Sequence, residues 1–195
     1  MVVKWFAFVG FCAALYGQDL KPVIDNERVT VWDVTGTKGQ ANPALGHDRD
    51  AVVMRLTGAD AGTASFIAKS SNTPAVIAAR SLIIELKDTV VPPLENKTGY
   101  PLAFPRPHVK KLLENDRVIV WSYRWNPGEP TPMHFHDKDV VVVYLEPTAL
   151  TSTTPQGAKT LNEYKAFDIR FNKRDRTHTE LLEHGTGSAM MMELK

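Results

Sequence analysis

The chain states one pattern twice. Residues Asp25–Leu56 lie over Glu114–Leu145 at a constant offset of 89, without a gap, and 13 of the 32 positions are identical. The shared residues include Asn26/Asn115, Arg28/Arg117, Trp32/Trp121, His47/His136 and Asp50/Asp139. The endings also match, Ile83–Lys87 against Met191–Lys195, but there the offset is 108, so the second half holds 19 extra residues. Two similar stretches of this length predict two similar units packed together, which rules out most arrangements of a 195-residue chain. The copies differ in one telling place. Where the second reads His134-Phe135-His136, the first reads Leu45-Gly46-His47. The repeat therefore reports architecture, and the difference between its copies points to the chemistry.

Strand signals dominate both copies. Val29–Trp32, Ala51–Met54, Val118–Trp121 and Val140–Tyr144 are short β-branched and aromatic runs bounded by turn formers. Ala75–Leu86 and Ser188–Leu194 read as closing strands, Asn126–Pro130 as a loop, and His108–Glu114 as a possible helical turn. No long amphipathic helix is predicted, so the expected class is all-β, a sandwich or barrel. The organisation reads as residues 1–17, an export signal; 18–92, a first half; 93–107, a proline-rich extended connection; and 108–195, a second half.

The export reading rests on Lys4, the short apolar run Trp5–Leu15 and the small residues up to Gly17, with the mature chain starting near Gln18. The run is too short to span a bilayer comfortably, so no membrane attachment is expected after cleavage, and the expected location is secreted or periplasmic. The sole cysteine, Cys12, lies in that segment, leaving no thiol or disulfide chemistry in the mature chain. A net charge of +1 without a basic run excludes an electrostatic footprint for nucleic acid. A homodimer is possible.

His134 and His136 stand two apart on a segment leading into a strand, so both imidazoles project to one face. That spacing suits two ligands of one divalent metal ion. His178 is the best third donor, and alternation puts Glu180 on its face. Three imidazoles suit Zn, Mn, Ni, Cu or Fe alike. In the first copy Leu45 and Ser70 stand opposite His134 and His178, so only one ion per chain is expected and His47 reads as structural. Arg28, Arg117, Trp32 and Trp121 occur in both copies and read as architectural. Arg124 and Arg170 lie in strand-like stretches within possible reach of an anionic substrate, but read better as surface charges.

Gly128, five residues, His134-Phe135-His136, a hydrophobic strand, and then His178 ahead of a closing strand resemble the cupin superfamily. The resemblance covers Arg117–Lys195 well and Arg28–Lys87 in degenerate form. It implies two tandem antiparallel β-barrels, a bicupin, with a metal at the second barrel's mouth. One departure is clear. The superfamily's first motif places a glutamate four or five residues after the second histidine, where this chain has Val140 and Val141. Glu180 is the preferred substitute, with Asp139 reaching the metal only if a bulge turns it inward, and water as the remaining option.

Three functions compete: a metal-dependent enzyme of oxygenase, isomerase or lyase type acting on a small oxygen-rich molecule, with Glu180 catalytic; a non-catalytic module binding a sugar or small acid, with Trp121, Trp125, Phe135 and Tyr144 lining its mouth; or a structural partner using the first half as an interface.

Overall fold

The β-branched runs become strands, each stopped by the glycine, proline, asparagine or aspartate beside it. The computed structural model describes residues 21–35, 48–71 and 79–195. In the first half the strands are β1 (Ile24–Asp25), β2 (Val29–Thr35), β3 (Ala51–Arg55), β4 (Thr63–Ile67) and β5 (Arg80–Leu86). In the second they are β6 (Val109–Glu114), β7 (Val118–Arg124), β8 (His134–His136), β9 (Asp139–Tyr144) and β10 (Thr148–Thr153). They continue as β11 (Lys159–Tyr164), β12 (Ile169–Asn172), β13 (Arg176–Gly185) and β14 (Ser188–Leu194). None of the described residues is helical, and the expected all-β class holds.

The possible helical turn at His108–Glu114 is corrected. This segment is edge strand β6, paired with β7 through a bulge between Lys111 and Leu113. Partly buried Leu112 and Leu113 pack on the core while Lys110 and Lys111 face solvent, a division that an edge strand serves as well as a helical turn does. The segment before β5 and the export signal lie outside the described residues, as do Leu45 and His47.

Every strand pairing is antiparallel. The first sheet runs β1-β2-β5-β3-β4, and the second runs β6-β7-β14-β9-β12. With the offsets of 89 and 108 applied, their registers coincide: Val31 faces Ile84 as Val120 faces Met192, and Ala51 faces Glu85 as Val140 faces Glu193. The second half also holds a third sheet, β11-β10-β13-β8. The barrels are not closed. The second half is a jelly roll of two facing sheets, and the described part of the first half is a single sheet.

Alternation decides which face goes where. Val29, Val31, Val52, Met54, Leu82 and Ile84 of the first sheet share one core with Val118, Val120, Val141, Val143, Met190 and Met192 of the second. The opposite face of the second sheet, with Trp121, Tyr123, Val142, Tyr144 and Met191, packs on Leu150 and Leu182 of the third. The middle sheet is thus covered on both sides, and β9 and β14 are buried along their whole length. Each fully buried Val, Ile, Leu or Met contributes roughly 1.5–3 kcal/mol, so this shared core dominates stability without any disulfide.

Polar residues common to the two copies bind the halves reciprocally. Asn26 Oδ1 accepts from the Arg28 and Val29 amides at 2.9 and 3.0 Å, and Asn115 Oδ1 does the same for Arg117 and Val118 at 2.8 and 2.9 Å. These Asx turns aim each arginine across the interface. Arg28 donates to Asp139 Oδ2 at 2.9 Å and to the Lys195 carbonyl at 3.1 Å. Arg117 donates to Asp50 Oδ2 at 2.9 Å and to the Lys87 carbonyl at 3.0 Å. Under the same offsets these are equivalent partners, as in a contact with two-fold symmetry.

Candidate metal centre

The strand β8 is only three residues long, and both of its edges are occupied. On one side it pairs with β13, placing His136 opposite Arg176 and His134 opposite His178. On the other, the connection between the halves adds a parallel bridge: the Phe135 amide donates to the Pro101 carbonyl, and the Ala103 amide to Phe135, both at 2.8 Å. The loop feeding β8 turns at Gly128, whose φ of +74° favours glycine although nothing lies near its missing Cβ.

Alternation then brings His134, His136 and His178 together inside the second half. Nε2 of His136 lies 3.2 Å from Nε2 of both His134 and His178. The three rings meet edge-on, with centroids 4.8–5.1 Å apart. A tetrahedral ion with metal–nitrogen bonds of about 2.0–2.1 Å needs donor nitrogens about 3.3 Å apart, so the observed spacing fits. His134 Nδ1 donates to the Pro132 carbonyl at 2.7 Å, which leaves the Nε2 lone pair facing its neighbours. Burial lowers all three imidazole pKa values, that of His134 to about 4 and that of His136 well below the ordinary value. Nearby Arg106 depresses His134 further. Neutral imidazoles whose ring nitrogens converge are what a divalent cation requires. This group could hold one.

Glu180 shares the face of His178, as alternation predicts. Its Oε1 lies 3.9 Å from His178 Nε2, and its Oε2 accepts from Trp125 Nε1 at 3.1 Å. Burial works to raise this carboxyl, but His178, the Arg106 guanidinium and the Trp125 N–H outweigh it and hold the pKa below the usual value. Asp139 is elsewhere. Its oxygens take Arg28 and the Arg174 amide, each at 2.9 Å, and no inward bulge follows His136. Val140, at the superfamily's glutamate position, lines the pocket with an apolar side chain. Ser70, opposite His178 in the repeat, occupies a turn with φ +63°.

Two residues of the site escaped sequence reasoning. Arg106 enters from the connection with its side chain 6% exposed. Its Nη1 donates to His134 Nε2 at 3.0 Å, its Nη2 lies 3.7 Å from Glu180, and its guanidinium sits over the rings of Tyr123 and Phe104. Arg176 lines the same pocket from β13, two residues before His178. Its signal was the alternation that found Glu180, followed in the other direction. For Arg106 the signal was Pro105-Arg106-Pro107, a cation whose backbone is restricted on both sides. Arg124 and Arg170 are exposed, bonded to the Thr186 carbonyl and to Asp168 respectively.

The aromatic residues complete the walls. Trp121 stacks on Phe104, whose edge meets His136, and Trp125 stacks on Tyr144, which stacks on Tyr164. Phe135 points to the opposite face of β8 from the two histidines. The free cavity beside the histidines is about 20 Å³, room for one water-sized particle.

No family model matches the chain, and no curated protein matches it. Solved structures do. A cupin domain from Bordetella pertussis is 24% identical over 48% of this chain and 99% of its own, with a TM-score of 0.41. A cupin 2 conserved barrel domain protein from Leptotrichia buccalis is 12% identical over 89% of this chain and 87% of its own, at 0.49. Protein Ylba from E. coli is 10% identical over 86% of this chain and 77% of its own, at 0.51. At these identities the likeness is one of fold alone.

Proposed function

We propose that this chain, whose fold is that of a two-part cupin, holds one divalent metal ion on His134, His136 and His178 and uses it to act on a small oxygen-rich molecule. The observation that carries the reading is the convergence of three buried histidine Nε2 atoms inside one half, that of His136 lying 3.2 Å from each of the other two. When bound, the ion supplies Lewis acidity toward a ligand oxygen. The chain's own residues do the rest. Glu180, ionised and oriented by Trp125, stands beside the histidines to take a proton from the ligand. Tyr144, stacked between Trp125 and Tyr164, gives the pocket its aromatic wall. The first half holds its partner in place through the shared core. Export, with the mature chain starting near Gln18, is part of the same reading.

Metal analysis of the purified protein after reconstitution with Zn, Mn, Ni, Cu or Fe tests the centre. Turnover against diols, keto acids and sugars tests the enzyme. A protein that takes up less than a tenth of an equivalent of every ion, at about micromolar free metal, sinks the reading. A second reading, a non-catalytic binding module, is favoured by apolar Val140 where the superfamily carries a glutamate; metal uptake without turnover on any of these substrates supports it.

A further inference from the structure

The charges around the histidines do not balance. Beside the three histidines, the charged side chains lining the pocket are Arg106, Arg176 and Glu180. Other nearby carboxylates are engaged elsewhere: Asp139 with Arg28, and Asp137 with Lys138. Glu193 accepts from Trp121 Nε1 at 2.8 Å. Arg176 donates from Nε to the Lys173 carbonyl at 2.5 Å and has no carboxylate within salt-bridge distance among the described residues. Arg106 has only Glu180, at 3.7 Å, and its buried Nε has no hydrogen-bond partner. Two guanidinium groups thus face one carboxylate, and a divalent ion adds two more positive charges. A water-poor pocket with that excess is costly unless an anion completes it.

Arg106 also stands where it must change partners. Its Nη1 donates to the lone pair of His134 Nε2 that a metal ion takes. Metal binding therefore frees Arg106 donors in a pocket whose one carboxylate, Glu180, already faces Arg106 and Trp125.

We propose that Arg106 and Arg176 form a carboxylate-binding subsite beside the three histidines, so that the ligand of this pocket is a small organic acid whose second oxygen reaches the metal. A planar guanidinium matches a carboxylate with two parallel hydrogen bonds, and burial over Tyr123 and Phe104 keeps water from competing. With about 20 Å³ free beside the histidines, the acid takes the space that opens when metal binding moves Arg106 off His134. This assignment rests on the metal-binding reading and names the substrate class for it.

The test uses the full chain loaded with Co²⁺, whose visible spectrum reports ligands entering the coordination sphere. Lactate and propane-1,2-diol are the probes, alike except that one carries a carboxylate. Lactate is expected to bind roughly tenfold or more tightly than the diol, and Arg106→Met to remove that preference. Arg176→Met is expected to weaken lactate in the same direction. Equal binding of the two probes by the unaltered chain overturns the subsite, as does an Arg106→Met protein that loads Co²⁺ and keeps the preference. A chain in which lactate, pyruvate, oxalate and succinate all leave the spectrum unchanged at millimolar concentration overturns it too. The comparison in the unaltered chain stands even if Arg106→Met does not fold. Failure to load Co²⁺ is a separate outcome, which removes the metal reading and this one with it.

Discussion

Arg28 and Arg117 cross the same interface in opposite directions, each ending on the other half's aspartate and on the carbonyl of the lysine just past the other half's closing strand. The two contacts differ in burial. Arg28 and Asp139 are 6% and 10% exposed, whereas Arg117 is 34% exposed. Breaking a buried pair leaves a charge without compensation, at a cost of roughly 3–5 kcal/mol. Losing an exposed pair costs about 0–1 kcal/mol. Arg28→Ala should therefore lower stability to urea far more than Arg117→Ala, and equal losses would remove burial as the cause.

Asp139 and Glu180, rivals for one role on sequence grounds, should separate cleanly. Asp139→Asn leaves Arg28 facing a neutral amide and should cost roughly 1–3 kcal/mol of stability with metal affinity unchanged. Glu180→Gln keeps its volume but removes the one carboxylate beside buried Arg106, so it too should cost stability, and it alone should lower metal affinity, by roughly 10–100-fold. Calorimetric metal titration of both variants checks this; the reverse pattern would place Asp139 at the metal.

Metal content should be at most one ion per chain. His134→Ala, His136→Ala and His178→Ala should each reduce it sharply, and His47→Ala should not. Elemental analysis of the four variants decides, and a second equivalent lost with His47 would give the first half a site of its own.

Glu193 is buried at 4% exposure beneath Trp121, and burial raises its carboxyl above the ordinary 4.5 despite the Trp121 hydrogen bond. The stability that its protonated form contributes is fully present below 4.5 and is lost as pH rises through the raised folded-state value. Glu193→Gln should then be more stable than the unaltered chain at neutral pH, with the gap closing on acidification. Melting temperatures of both proteins from acid to neutral pH measure it; a gap that widens on acidification contradicts the raised value.

Much of this molecule is legible in order along its chain, and the reason is periodicity. Alternation in β9 and β14 assigns each residue to one of two cores and turns Asp139 outward, and alternation in β13 sets Glu180 beside His178. Duplication explains why Asn26, Arg28 and Asp50 recur without any part in chemistry. Arg106 obeys neither rule. It lies between prolines in a stretch with no repeat and no strand, so its face is set by the bridge to Phe135, a contact between residues far apart in sequence. The misreading of His108–Glu114 has a related origin. Two lysines followed by two leucines fit a helical turn as well as a bulged edge strand, and only β7 beside it decides.

The connection is fastened to β8 at Pro101 and Ala103, and the guanidinium is delivered a few residues later, before β6 begins. Exchanges at Arg106 would change the pocket without touching a rung of any of the three sheets or the stack of Phe104 on Trp121. A lineage of such chains would thus have a tuning position at which ligand preference drifts while the strands stay as they are. Laboratory selection for new ligands should find its gains there before it finds them on the strands that carry the histidines.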